Sequence, residues 1–219
     1  MKTSNQNWLT YRALAETAIQ RGDLSQAEEM WLSALKQTVV FEELDIQLSS
    51  TLDKISSLYQ QHEKYDQAET YCQKALVVIE KLVGKRNHYQ VANCLNNLAG
   101  IYYCQGLYGQ AEPICLEVLS IYQSLSGANY GGNVGMALNN LAMLYHANKK
   151  LELAEQYYLQ AISIRSKLLG PSNPIVITLL KNYENLRELM TQTHQTDVSC
   201  HRSRQYHLKP ITTMSREGD

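Results

Sequence analysis

Apolar and small residues recur along this chain with a period of just over forty. The stretches GDLSQAEEMWLSALK, EKYDQAETYCQKALV, GLYGQAEPICLEVLS and KKLELAEQYYLQAIS align on Ala27, Ala68, Ala111 and Ala154. Four residues on from each alanine stand Trp31, Cys72, Cys115 and Tyr158, and seven on stand Ala34, Ala75, Val118 and Ala161. Sixteen on come Glu43, Gly84, Gly127 and Gly170, so three of the four units end on glycine. Upstream, each unit carries a second pattern, numbered here from nineteen residues before its alanine. Position 4 is Tyr11, Leu52, Leu95 and Leu138, position 7 is Leu14, Ile55, Leu98 and Leu141, and position 11 is Ala18, Tyr59, Tyr102 and Tyr145. Position 8 is small throughout: Ala15, Ser56, Ala99 and Ala142. Apolar residues at 4, 7, 8 and 11 lie on one face of a helix. Each unit therefore predicts two amphipathic helices joined by a tight turn near Gly22, Glu63, Gly106 and Lys149. Small residues at the crossing let the two helices approach at the close end of the usual ~8–10 Å.

Small residues at positions 8, 20 and 27 with large ones at 4, 7, 11, 17 and 24 resemble the tetratricopeptide repeat, in a longer form than the ordinary ~34 residues. With LNNLA in the first helix and AEP in the second, the units are similar to the kinesin light chain type of repeat. LNNLAGIYYCQGLYGQAEPICLEVLSIYQSLSG and LNNLAMLYHANKKLELAEQYYLQAISIRSKLLG match best. Among such proteins the repeats resemble bacterial, in particular cyanobacterial, members. The resemblance implies an all-α, right-handed α-solenoid of four helix pairs plus a C-terminal capping helix, with the first helices lining a concave face. It implies nothing about kinesin transport, since the long heptads that would join a motor chain are missing.

Units fall at about 8–48, 49–91, 92–134 and 135–173, after an N-terminal extension of residues 1–7. IVITLLKNYENLRELM then supplies the capping helix over 174–192, with an apolar face of Leu179, Leu180, Tyr183 and Leu186. A solenoid needs such a cap at its open end. Residues 193–219 lose the period and read as a flexible polar tail. Pro113 is tolerated in a helix that begins near Gly109, if it falls in the first turn, where N–H groups lack partners anyway.

Composition narrows the class. Twenty Lys+Arg against twenty-one Asp+Glu leave a net charge of −1, unlike the basic surface a nucleic-acid binder needs to release counterions. Eleven glycines and four prolines fall well short of the usual share of about 12%, which favours long helices. No run reaches the ~18 apolar residues of a membrane span. The start lacks a secretory leader, and five cysteines without a CxxC pair suit a reducing compartment, so a cytoplasmic location is expected. Fifteen Tyr, one Phe, fourteen Asn and eighteen Gln show a preference for rings with a polar tip and for amides over charges.

No nucleotide, metalloprotease or hydrolase motif is present, so the expectation is a non-catalytic protein without a cofactor. His194, Cys200, His201 and His207 are spaced like no known zinc finger. Groove positions carry the more informative residues: Asn93, Asn96, Asn97, Tyr103, Met136, Asn139, Asn140, Met143, His146 and, in the cap, Asn182. Asparagine is a poor helix-interior residue, so its recurrence wants a reason. One amide offers both donor and acceptor, so Asn97, Asn140 and Asn182 suit the backbone of an extended peptide. They equally suit bridges between neighbouring helices. Only Lys54 and Lys181 approximate the basic clamp with which some domains of this kind hold a chaperone's terminal carboxylate. The expected role is an adaptor, scaffold or assembly factor that binds a protein or peptide partner in the groove, without nucleic-acid binding or membrane insertion. The alternatives are a self-associating structural solenoid and a tail-mediated metal or redox switch.

Overall fold

The computed structural model describes the backbone of residues 2–39, 46–86, 88–125 and 131–206, with side chains for 6–38, 46–86, 88–125 and 131–193. Among these residues the chain forms α1 (Lys2–Gln20), α2 (Leu24–Val39), α3 (Ile46–Gln61), α4 (Tyr65–Val83), α5 (Tyr89–Cys104), α6 (Tyr108–Ser124), α7 (Gly131–Ala147), α8 (Leu151–Leu169) and α9 (Pro174–Tyr206). Each helix packs mainly on its neighbours in sequence, α1 on α2, α2 on α3 and so on to α9. That is the quasi-one-dimensional stacking of a repeat protein.

All four pairs share one turn. At the end of each first helix the N–H of Asp23, Lys64, Leu107 and Lys150 donates to the carbonyl of Ala18, Tyr59, Tyr102 and Tyr145, at 2.8–2.9 Å. The preceding residue, Gly22, Glu63, Gly106 or Lys149, donates to Ile19, Gln60, Tyr103 or His146 at 3.0–3.1 Å. These paired bonds satisfy carbonyls that a helix end leaves open, and they require the preceding residue to be left-handed. Gly22 and Gly106 take φ of 74° and 73°, while Glu63 and Lys149 are forced to 59° and 60°. The turn geometry thus persists where its glycine does not.

The small positions close the pairs. Ala27, Ala68, Ala111 and Ala154 are fully buried, as are Ala15 and Ala142, and Ser56 at position 8 donates from its hydroxyl to the Ala68 carbonyl at 2.7 Å. Leu52, Ile55, Leu95, Leu98, Leu138 and Leu141 fill the layer between them. Leu14, at position 7 of the first unit, is 48% exposed instead.

A row of tyrosines ties each unit to the next. Tyr59 donates to Glu28 at 2.9 Å, Tyr102 to Glu69 at 2.8 Å, Tyr145 to Glu112 at 3.0 Å and Tyr183 to Glu155 at 3.0 Å. In every case the carboxylate follows the fully buried alanine of the preceding unit. Burial first, then the carboxylate, pushes Tyr59 up to about 12 and raises Tyr102 and Tyr145 as well. Four of the chain's fifteen tyrosines have their use for a polar tip here.

Three details depart from the sequence reading. α6 begins at Tyr108, so Pro113 falls in its second turn; the carbonyl it leaves without a donor belongs to exposed Gly109, open to water. Leu180 is 37% exposed, and the packed face of α9 is Val176, Leu179 and Leu186 with half-buried Tyr183. The α9 backbone also stays helical past residue 192, through Tyr206. Neither Gly nor Pro occurs between Pro174 and Tyr206, and those are the residues that stop a helix. Residues 207–219 lie outside the described residues, as does the 40–45 junction after the first unit.

Candidate functional site

The first helices α3, α5, α7 and α9 line a groove with three hollows. The middle one, about 270 Å³, lies chiefly between α5 and α7. Asn96, Asn97, Asn140 and Gln60 form its amide rim, Tyr103 and Met143 its walls, and Ala99, Gly100, Leu144 and Cys115 its floor. Nothing charged lines it. A hollow of about 140 Å³ between α3 and α5 contains Asp53, Asn93 and Asn97. A third of about 300 Å³, towards α9, contains Tyr103, Met143, His146, Lys149, Asn182 and Asn185.

A second row of side chains runs along the groove. Asn97 donates from its amide nitrogen to Asp53 Oδ1 at 2.6 Å, and Asn140 likewise to Asn96 Oδ1 at 2.7 Å. Position 6 of one unit therefore bonds position 5 of the unit before it, and both asparagines bridge neighbouring first helices. These bonds use one hydrogen of each amide. An amide has two lone pairs and two N–H groups, so each rung keeps donor and acceptor capacity. At the next position, Asn139 donates weakly to Met143 Sδ at 3.4 Å, while its buried carbonyl oxygen has no partner.

Asn182 belongs to another register. The Tyr183–Glu155 bond aligns Tyr183 with Tyr102 and Tyr145, so Thr178 is the α9 counterpart of Asn97 and Asn140. Thr178 turns its hydroxyl back to the Pro174 carbonyl at 2.9 Å. The amide row thus stops at Asn139, and Asn182 enters the third hollow one helical turn further along. Asn93, itself exposed between buried neighbours on α5, accepts from Tyr122 Oη at 2.5 Å. Met136 is half-buried against the core and lines none of the three hollows. Gln60 and Asn185 line the groove without having been singled out in the sequence; their positions, 12 and 13 in the unit, were the available signal.

Electrostatics vary along the groove. Burial pushes the Asp53 carboxyl up, against the pull of the Asn97 bond and of Lys54. Burial and then Lys149 push His146 down, towards its neutral form, with its ring edge-on to Tyr158 at 6.3 Å. Burial drives Cys72 and Cys94 up to about 12 and Cys115 to about 11, so these thiols lack the thiolate character that redox chemistry needs. Among the described residues no three His, Cys, Asp or Glu side chains gather as metal ligands, and no helix is long and apolar enough to cross a membrane. The side chains of His194, Cys200, His201 and His207 lie outside the described residues.

Stacked helix pairs with a shared turn and a continuous groove define an α-solenoid repeat protein. The sequence profile of the tetratricopeptide repeat matches residues 47–124, and a second profile of that repeat matches 134–175. The chain belongs to the tetratricopeptide repeat family. Similar solved structures include BtubC (BKLC) from P. vanneervenii, at 20% identity and a TM-score of 0.65, covering 100% of this chain and 96% of that one. The kinesin light chain nearly identical TPR-like repeats of Podosopora anserina align at 16% identity and a TM-score of 0.68, over 93% and 96% of the two chains. A Rap protein complexed with Competence and Sporulation Factor aligns at 14% identity and 0.68, over 90% of this chain and 52% of its own. Identities this low speak for the fold alone. No curated protein matches the sequence. Repeats of this family generally serve as protein–protein interaction modules and typically as non-catalytic scaffolds.

Proposed function

We propose that this chain is an adaptor or scaffold that holds an extended segment of a partner protein along the groove of α3, α5, α7 and α9. The observation that carries this reading is the amide row. It places unspent donors and acceptors beside a 270 Å³ hollow with an apolar floor. A peptide group needs one of each, and side-chain amides supply both without selecting the side chains of the ligand. The uncharged middle hollow also suits recognition through shape and hydrogen bonds. The similar Rap structure holds a bound factor, which supports binding as a use of this fold.

The test is a double variant, Asn97→Ala with Asn140→Ala, measured twice. Affinity is read against a peptide selected on the wild-type protein from a displayed library of random twelve-residue sequences. Stability is read from urea unfolding. Each lost neutral bond costs roughly 0.5–1.5 kcal/mol, and every 1.4 kcal/mol is tenfold. Binding should weaken roughly 5- to 140-fold. Stability should fall by less, because alanine is the better helix former. Undiminished affinity alongside reduced stability would show that the row only braces the helices.

A further inference from the structure

The charge pattern of the three hollows says more about what they accept. Asp53 is the charged residue that lines the α3–α5 hollow, and no cation lines it with it; Lys54 stands at the next, exposed position. The middle hollow is uncharged. Lys149 and His146 line the hollow towards α9, with no carboxylate among its residues. The groove therefore runs from acidic through neutral to basic as it passes from α3 to α9.

Resting on the groove reading above, we propose that the ligand is a short extended peptide with a basic, an apolar and an acidic side chain, in that order from the α3 end to the α9 end. The apolar side chain enters the middle hollow over Gly100, with its backbone on the Asn96–Asn140 rung. The basic side chain meets Asp53 and the acidic one meets Lys149. Charges of matching order along a groove set orientation and exclude wrong partners. Packed helices stand about 8–10 Å apart and an extended chain advances about 3.3 Å per residue. The hollows also step along the helices, from Asn93 to Gly100 on α5 and from Asn140 to His146 on α7, so neighbouring ones are at least ~3 residues apart along such a peptide.

Three substitutions separate the contributions without threatening the fold. Asp53→Asn removes the charge and keeps an acceptor for Asn97, as Asn96 does for Asn140. Lys149→Gly removes the cation at a residue whose φ of 60° favours glycine. Gly100→Leu fills the middle hollow, and a β-carbon there meets nothing nearer than Gln60 Nε2 at 3.7 Å.

Random twelve-residue peptides displayed on phage are selected on the full chain. The recovered sequences are synthesised with a fluorophore and titrated against wild type and the three variants by anisotropy. Unfolding midpoints are recorded for all four proteins. The expected result is basic–apolar–acidic sequences with neighbouring members at least ~3 residues apart. Gly100→Leu should weaken them roughly tenfold or more, a difference of about 1.4 kcal/mol. Asp53→Asn should weaken them severalfold, and no longer do so once the peptide's basic residue is changed to alanine. Lys149→Gly should behave likewise towards the acidic residue. Peptides that depend on Gly100 yet ignore both charge variants would overturn the order and leave the groove reading standing. Peptides indifferent to Gly100→Leu and to the Asn97/Asn140 double variant, or no recovered peptide at all, would overturn both.

Discussion

Two rows of polar side chains run along this solenoid, one from the first unit to α9 and one only from α3 to α7, and they differ in what they leave unspent. The tyrosine row has four rungs, Tyr59–Glu28 to Tyr183–Glu155, one at each junction between units. The amide row has two rungs, Asn97–Asp53 and Asn140–Asn96, and then an orphaned acceptor on Asn139. A tyrosine hydroxyl has one proton to give, and each rung spends it on a carboxylate. An amide has more capacity than one rung uses. The first row is complete and structural; the second bridges helices and still presents unspent polarity beside the hollows. Recurrence along a repeat therefore does not mark function by itself. What remains after the helices have been joined is what the proposed groove would offer a ligand.

The most damaging way to break the comparison is to disturb both rows at once. Ala142 is fully buried where α7 meets α8, so Ala142→Leu should push α7 out of register with both neighbours. A loss of about 1–3 kcal/mol is expected from urea unfolding, and an unchanged midpoint would place the helix crossing elsewhere.

Removing one rung of the complete row should cost less. Tyr145→Phe deletes the hydroxyl that serves Glu112 while leaving Lys150 on the same carboxylate at 2.9 Å. The expected loss is about 1 kcal/mol, as for a modest hydrogen bond to a partly exposed charged group. The row also carries a pH signature. Tyr59 is pushed up to about 12, so its contribution is whole below the ordinary tyrosine range near 10 and is lost as pH rises towards 12. Tyr59→Phe should flatten the alkaline arm of a stability–pH curve. Glu112 works in the opposite direction: the Lys150 bond, aided by Tyr145, lowers it below 4.5. Its share is present above that value and fades as pH falls further; Lys150→Met should shrink the acid-side fall.

The incomplete row can be completed. Thr178→Asn puts an amide at the α9 counterpart of Asn140, where it can donate to the buried Asn139 oxygen. A gain of up to about 1 kcal/mol is expected, the lower end of what an unpartnered buried group costs. No gain would show that Asn139 turns away from α9.

The smallest effect belongs to the turns. Glu63 holds a φ of 59° that glycine adopts freely, but glycine also gains entropy in the unfolded chain. Glu63→Gly should therefore stabilise by only a few tenths of a kcal/mol, read from the unfolding midpoint.

The helices, the turn after each first helix and the buried alanines were legible in the sequence. Helical periodicity is a local property that each stretch of chain carries whatever packs on it. Even the turns at Glu63 and Lys149 could be placed without their glycines, because the flanking periods set the distance between helices. Most of the groove was legible too: Asn96, Asn97, Tyr103, Asn140, Met143, His146 and Asn182 all line one of its hollows.

The pairings within it were settled only in three dimensions. Asn97 and Asp53 stand 44 residues apart, as do Asn140 and Asn96, and Tyr145 and Glu112 stand 33 apart. Whether such side chains meet depends on how one unit is rotated and shifted against the next. That is set by the summed packing of the second helix of one unit on the first helix of the next, not by any residue in the pair. The same holds for α9, where hydrophobic spacing allows more than one alignment of so regular a helix. The Tyr183–Glu155 bond selects one, and with it Thr178 rather than Asn182 becomes the end of the amide row. Periodicity fixes which face of a helix is buried; the tertiary contacts fix what each polar residue on the remaining faces has left to offer.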